Sequence, residues 1–159
     1  MFDKVLVPLD GSEISELAIP YAIELAKCCG SKVTLLQAVE SLGQAIATMT
    51  PIEPVLVTPE TTEQIVEGVE AEQKAAEEYL TGVAARFKTE GAEAGWAVLS
   101  GSPGVEILEF ADKEGFQLIA MATHGRGGFG RVLHGSVADH VMHHTRLPVL
   151  FVRPPHSQT

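Results

Sequence analysis

The residues best suited to chemistry lie in one glycine-rich segment near the end of the chain. Four glycines fall within residues 125–130, and Gly135-Ser136 follows at the start of a predicted helix. Closely spaced glycines let successive backbone amides face one concavity, and the N-terminus of a helix also attracts anions. Arg126 and Arg131 add cationic donors. A flexible surface loop is the alternative, but the position between a strand and a helix, in the basic part of the chain, favours a phosphate site.

Two familiar phosphate motifs do not account for this segment. Gly125-x-Gly127-x-x-Gly130 matches the dinucleotide-binding fingerprint in letters. However, it follows a late strand, and no acidic residue lies about 20 positions further on to bind a ribose. A P-loop requires Lys and then Ser or Thr after its last glycine, whereas Arg131-Val132 stands here. An ordinary Walker-type NTPase is therefore excluded.

Polar residues elsewhere in the chain offer weaker signals. Asp10 follows the first predicted strand, where it could bind a ligand or a metal, or simply shape the turn before Ser12. His124 could orient the loop or a ligand, but no nucleophile partner is evident. His140 and His144 share a helix face, yet no residue is placed to complete a metal site with them. The adjacent Cys28-Cys29 cannot build a disulfide framework, and their scarcity suits a reducing cytoplasm.

Strand and helix patterns alternate along the chain, and these elements must position the candidate residues. Short apolar runs predict strands over residues 4–9, 33–39, 94–99, 117–121 and 148–152. Apolar residues at helical spacing predict helices over residues 12–30, 62–90, 103–115 and 136–145. Pro20 predicts a kink or a late start of the first helix, and residues 40–59 predict a long loop. The alternation indicates an α/β fold, with an open and mainly parallel sheet covered by helices on both faces.

The same patterns predict which side chains are buried. The first helix is expected to bury one face that includes Leu17, Ala18 and Tyr21. The long second helix is expected to bury a stripe of Val69, Ala76, Leu80, Val83 and Phe87. Trp96 is expected in the core, and the two cysteines are expected to divide between the core and the surface.

Length and charge restrict the function further. The chain has 159 residues, which predicts a single domain, and a net charge of −10. Residues 1–121 carry −13 and residues 122–159 carry +3. The acidic body disfavours nucleic acid and anionic membranes, while the basic end suits a compact anion. No apolar run approaches the roughly 18 residues of a membrane span, and no secretory signal is predicted, so a cytoplasmic location is expected.

Several motifs together resemble the universal stress protein family over nearly the whole chain. They are Val7-Pro8-Leu9-Asp10-Gly11-Ser12, Leu35-Leu36-Gln37-Ala38-Val39, Gly101-Ser102-Pro103, Thr123-His124-Gly125-Arg126 through Gly135-Ser136-Val137-Ala138, and Pro148-Val149-Leu150-Phe151-Val152-Arg153. The resemblance implies a sheet of strand order 3-2-1-4-5. It also implies dimers joined through residues 148–153, and an exposed apolar edge strand independently invites such pairing.

The resemblance also implies a nucleotide site. Nucleotide-binding members carry Gly-x2-Gly-x9-Gly-[Ser/Thr], and Gly125 with Gly135-Ser136 fits this pattern, while Ala122 replaces the first glycine. By this resemblance the adenine pocket, sugar and phosphate contacts fall on Pro8, Leu9, Asp10, Ala38, Val39, Met121, Ala122, Gly125, Gly135, Ser136 and Val137. The loop residues His124, Arg126, Gly128 and Arg131 complete the predicted site. ATP with Mg²⁺ is the leading ligand, AMP or cyclic AMP would suit the same pocket, and Asp10 is the predicted metal ligand.

Three functions remain open from the sequence. The favoured one is a nucleotide-binding module that acts in stress response as a dimer. The second is a slow ATP-hydrolysing enzyme, although no general base is evident near a γ-phosphate. The third is an interaction protein with an empty pocket, for which Ala122 is the argument.

Overall fold

A five-stranded parallel sheet forms the centre of the molecule. The computed structural model of the chain describes residues 2–49, 59–123 and 136–154. The strands are β1 (Lys4–Pro8), β2 (Lys32–Val39), β3 (Ala94–Ser100), β4 (Leu118–Ala122) and β5 (Val149–Val152). Their order is β3-β2-β1-β4-β5, and each neighbouring pair is parallel. The predicted α/β fold and its strand order are confirmed.

Helices cover both faces of this sheet. They are α1 (Ile19–Cys29), α2 (Leu42–Met49), α3 (Pro59–Thr89), α4 (Pro103–Glu114) and α5 (Ser136–His144). One buried cluster joins α1 and α3 to the sheet face that presents Val5 and Leu35, and a second joins α4 and α5 to the face that presents Leu6. Alternate strand residues thus serve opposite layers, as the pleat of a strand requires.

The long helix α3 is held by the stripe that the sequence predicts. Ala76, Leu80, Val83 and Phe87 are buried, and Val69 is half-buried. Leu80 and Phe87 are completely excluded from solvent. Burial of each such side chain contributes roughly 1.5–3 kcal/mol, so this stripe fixes α3 against the sheet.

The first helix begins later than Ser12, as Pro20 indicates. A short 3-10 helix covers Ser15–Ala18, and Pro20 then occupies the first turn of α1, where its missing amide costs nothing. The predicted burial of Tyr21 is wrong, since its side chain is 52% exposed. The 3-10 helix has three residues per turn, so it changes which residues of α1 face the sheet, compared with a continuous α-helix from Ser12. The buried residues of α1 are Ile19, Ala22 and Ile23.

Residues 40–59 are not one long loop. Residues 42–49 form α2, and the prediction of an unstructured segment is wrong for this part. A capping box begins the helix, because Ser41 Oγ accepts the amide of Gln44 across 3.3 Å and Gln44 Oε1 accepts the amide of Ser41 across 3.0 Å. The rest of the predicted loop, residues 50–58, lies outside the described residues.

Two further burial predictions are wrong. Trp96 is 40% exposed, because it lies on β3 at one edge of the sheet. Cys28 and Cys29 are both exposed at the end of α1. Among the described residues, no helix has both the length and the apolar composition that crossing a bilayer requires.

The topology brings the candidate residues to one edge of the sheet. From β1 the chain proceeds outward to β2 and β3, and it then returns to the other side of β1 as β4 and β5. The carboxyl ends of β1 and β4 therefore flank the point where the connections diverge. In open parallel sheets, ligands bind in the crevice at this point.

Candidate functional site

A cavity of about 260 Å³ lies at the carboxyl ends of β1, β2 and β4. The first turns of α4 and α5 close its other side. It brings together eight of the residues predicted from the sequence: Pro8, Leu9, Asp10, Ala38, Met121, Ala122, Ser136 and Val137. The chain segments that meet here are separated by more than a hundred residues in sequence, so only the folded topology assembles them.

Of the remaining predicted residues, the structure describes only Val39, and Val39 does not line the cavity. Val39 is 2% exposed, and its carbonyl accepts the amide of Gly101 across 2.9 Å, so it lies in the sheet rather than in the lining. His124, Gly125, Arg126, Gly128, Arg131 and Gly135 lie outside the described residues. The roles of all these residues in binding stay predictions.

Six lining residues were missed by sequence reasoning: Ser15, Leu36, Pro103, Ile107, Thr123 and Ala138. Thr123 directly follows β4, and Pro103 begins α4, so position after a strand or at a helix start could have indicated both. Leu36 and Ile107 belong to the buried cluster beneath α4 and α5. Their periodicity marks them as core, and only the structure shows that this core continues into the cavity wall.

The turn after β1 positions Asp10. Gly11 has a φ of +79°, a conformation that favours glycine. This turn directs the amide of Ser12 to Asp10 Oδ1 across 2.9 Å. Ser12 Oγ in turn accepts the amide of Ser15 across 3.1 Å. Asp10 therefore serves the turn, which is the alternative the sequence left open, and at the same time presents its carboxylate at the cavity.

The ionisation of Asp10 follows from these contacts. Partial burial by itself raises the pKa of its carboxyl, but hydrogen bonds from Ser12 and Ser15 favour the charged form, and together they hold the pKa below its ordinary value. Asp10 is thus a carboxylate at neutral pH. It is the only ionisable side chain in the described part of the cavity lining.

Thr123 places an unsatisfied hydroxyl in the cavity wall. The residue is 1% exposed, and its amide donates to the carbonyl of Val152 across 2.9 Å. Its Oγ1 has no hydrogen-bond partner among the described residues. A buried hydroxyl without a partner costs about 1–3 kcal/mol, so this atom is suited to a polar group of a ligand.

The N-terminus of α5 gives the cavity its attraction for anions. Ser136, Val137 and Ala138 form the first turn of α5, and all three line the cavity. The first amides of a helix have no partner within it, and the helix dipole places positive potential there. The cavity lining therefore includes both a carboxylate and an electropositive helix end.

A larger and more open depression, of about 1090 Å³, lies at the other edge of the sheet. It is lined mainly by alanines and glycines around the start of β2 and β3, together with Lys32, Lys88 and Glu93. The amino ends of parallel strands are not where such sheets bind ligands. The smaller cavity at the carboxyl ends is the better candidate site.

The histidines of α5 do not form a metal centre. The rings of His140 and His144 stack with centroids 4.3 Å apart, and Nδ1 of His144 lies 2.8 Å from the carbonyl oxygen of His140. In the described parts of the chain, no three His, Cys, Asp or Glu residues are grouped to hold a metal ion. Among the described lining residues, Asp10 is the one carboxylate that could bind a metal at the cavity, and Mg²⁺ commonly combines one or two carboxylates with phosphate oxygens.

The fold and cavity together define an open parallel α/β protein with a crevice at the switch point of its sheet. The sequence profile of the universal stress protein family matches residues 1–153, and the chain belongs to this family. It is 32% identical to universal stress protein MJ0531 of Methanocaldococcus jannaschii over 99% of this chain and 86% of that protein. It is 29% identical to universal stress protein YxiE of Bacillus subtilis over 96% of this chain and all of that protein.

Solved structures share the fold. The structure of MJ0577 of Methanocaldococcus jannaschii has a TM-score of 0.74 at 24% identity and covers 99% of both chains. A universal stress protein in complex with cAMP has a TM-score of 0.64 at 23% identity, covering 96% of this chain and 97% of that one. The Archaeoglobus fulgidus universal stress protein in complex with dAMP has a TM-score of 0.61 at 23% identity, covering 95% and 97%.

Proposed function

We propose that this universal stress protein binds an adenine nucleotide in the cavity at the carboxyl ends of β1, β2 and β4. ATP with Mg²⁺ is the first candidate ligand, and AMP and cyclic AMP are the alternatives. The protein acts in stress response as a cytoplasmic homodimer, as a binding module rather than a fast enzyme. The observation that carries the proposal is the position of the Asp10 carboxylate and the α5 N-terminus on one cavity at the switch point of the sheet.

The lining divides into regions that suit the parts of a nucleotide. Pro8, Leu9 and Met121 supply apolar surface for a base, and the first turn of α5 supplies amides for phosphate. The volume of about 260 Å³, formed by the described residues alone, is just below the roughly 300–1,000 Å³ of small-molecule sites. Complexes of two structural neighbours with cAMP and dAMP support the same ligand class.

Charge explains why Mg²⁺ belongs to the proposal. Within the described lining, Asp10 is the only charge, and a carboxylate repels a polyphosphate. A divalent cation between Asp10 and the phosphates converts this repulsion into attraction. Arg126 and Arg131 are the predicted cationic partners from the glycine-rich segment.

The proposed dimer joins two copies through β5 and the residues around it, 148–153. Strand β5 lies at the edge of the sheet beside β4, and Val149, Leu150 and Phe151 are only half-buried. An apolar edge strand of this kind favours pairing with a second strand. Sedimentation equilibrium should give twice the monomer mass of 16.9 kDa, and a monomer at all concentrations would contradict the dimer.

Calorimetric titration of nucleotide-free protein tests the proposed ligand. Mg-ATP, AMP and cyclic AMP are compared, and ATP is repeated without Mg²⁺. Micromolar binding of ATP that weakens without Mg²⁺ is expected. A preference for AMP or cyclic AMP would support the same binding site with a different natural ligand. Absence of binding by all three nucleotides would refute the proposal and favour an interaction protein.

Matched variants assign the binding to this cavity. Asp10→Asn should weaken Mg-ATP binding, while Asp112→Asn removes an equal charge from the exposed end of α4 and should leave it unchanged. Gly135→Val should abolish binding in a folded protein, because the added side chain occupies the predicted phosphate approach. Turnover above roughly 1 s⁻¹ would favour the enzyme alternative.

A further inference from the structure

The carboxylate of Glu16 does not line the cavity, yet α3 holds both of its oxygens. The hydroxyl of Tyr79 donates to Glu16 Oε1 across 3.1 Å. Nη1 of Arg86 donates to Glu16 Oε2 across 2.6 Å. Tyr79 and Arg86 are seven residues apart and so lie on one face of α3. Two hydrogen bonds to a charged acceptor therefore fix Glu16 to this helix.

Glu16 is part of the same turn that carries two cavity residues. Its amide donates to the carbonyl of Ser12 across 3.2 Å. The hydroxyl of Ser15 donates to that same carbonyl across 2.8 Å, and Ser15 and Asp10 both line the cavity. Segment 10–16 is thus a hydrogen-bonded turn that leads into the 3-10 helix, with Asp10 and Ser15 at the cavity and the side chain of Glu16 on α3.

The Glu16 carboxylate affects the ionisation of Tyr79. Burial and the neighbouring Glu16 carboxylate raise the pKa of Tyr79 to about 12, with a smaller contribution from the charge of Asp10. The hydroxyl therefore remains a donor to Glu16 throughout the neutral range.

We propose that Glu16 is a positioning residue: anchored by Tyr79 and Arg86, it fixes the loop that presents Asp10 and Ser15 to the cavity. The part that concerns ligand affinity rests on the proposed function. None of the described residues of α3 lines the cavity. The consequence is that α3 controls affinity without touching the ligand, so displacement of α3 weakens binding.

Hydrogen exchange of the ligand-free protein tests the anchor itself. Glu16→Ala should accelerate exchange of the Ser12 and Ser15 amides, while core amides such as those of Leu35 and Ile119 keep their rates. Glu24→Ala is the matched control, because it removes a carboxylate that pairs with Lys27 across 3.7 Å on the exposed side of α1. Unchanged rates in the loop, or a parallel acceleration of loop and core amides, would overturn the positioning role.

Calorimetry with Mg-ATP tests the effect on affinity. Glu16→Ala should weaken binding about tenfold, the lower end of the losses seen when residues that orient metal-binding groups are replaced, and Glu24→Ala should not change it. Glu16→Gln, which keeps the shape and one acceptor, should recover part of the loss. In an Asp10→Asn background, Glu16→Ala should add little, because its effect passes through Asp10.

The two proposals fail in different ways. Fully additive effects of Glu16→Ala and Asp10→Asn on affinity would overturn the positioning role and leave nucleotide binding intact. Absence of nucleotide binding by the unaltered protein would refute the proposed function. The exchange experiment would then still decide whether Glu16 fixes the loop.

Discussion

Replacement of Tyr79 by Phe gives the sharpest test of the contacts around the cavity. The Tyr79 hydroxyl donates to Glu16, and burial beside that carboxylate raises its pKa from 10.0 to about 12. Two pKa units correspond to about 2.7 kcal/mol between the two protonation states. Burial is the largest cause of this shift and penalises only the phenolate, so it does not stabilise the neutral hydroxyl. The expected effect of Tyr79→Phe at neutral pH therefore comes from the hydrogen bond to Glu16, on the order of 1 kcal/mol.

The sign of the pH dependence follows from the raised pKa. The unfolded chain loses its Tyr79 proton near pH 10, and the folded chain holds it to about pH 12. The stabilisation is therefore complete below pH 10 and is lost as the pH rises through 12. Relative to Tyr79→Phe, the unaltered protein should be more stable at pH 7 to 9, and this advantage should shrink above pH 10.

Two measurements check this expectation. Urea unfolding followed by circular dichroism, at several pH values, gives the stability difference between the unaltered protein and Tyr79→Phe. Tyr21→Phe is the control, because Tyr21 is exposed and is the only other tyrosine. Phenolate absorbance of Tyr21→Phe then reports Tyr79 alone. A half-ionised Tyr79 near pH 10, or a stability difference that stays constant from pH 9 to 11, would refute the reasoning.

Three further substitutions test the site and the core. Thr123→Val removes the unpartnered hydroxyl and should not reduce urea stability, while weakening Mg-ATP binding in calorimetry; a clear loss of stability would show that the hydroxyl has a protein partner. Gly104→Ala places a Cβ 2.7 Å from His140 Cδ2 and should cost on the order of 1–2 kcal/mol in thermal or urea unfolding; an equal cost in a His140→Ala background would contradict this steric origin. Leu80→Ala should cost roughly 2–5 kcal/mol in urea unfolding, and a cost below about 1 kcal/mol would mean that α3 does not pack as described.

Local signals in the sequence explain most of the fold. Each strand is a short apolar run, and the helix ends coincide with Gly30, Pro103 and Gly115, whose backbone preferences act without regard to the rest of the chain. The helix α2 is not predicted from the sequence, although Ser41 and Gln44 form a capping box, because the prolines at positions 51, 54 and 59 indicate a loop.

The burial of residues at the edges of the fold could not be predicted from local sequence signals. Tyr21 and Trp96 are apolar enough for a core, but exposure depends on helix phase and on whether a strand lies at an edge. The sequence shows which residues are apolar, but the packing of elements that are distant in sequence determines which of them are buried.

The alternation of strands and helices could be predicted from the sequence, because local backbone preferences and periodicity produce it. The family, and through it eight of the residues that line the cavity, could be predicted because sequence motifs resemble those of universal stress proteins. The folded structure was needed to show that Ser15, Ile107 and Thr123 also line the cavity, and that Glu16 is anchored to Tyr79 and Arg86. Glu16 and Arg86 are 70 residues apart, and such contacts exist only after the sheet has brought their helices together.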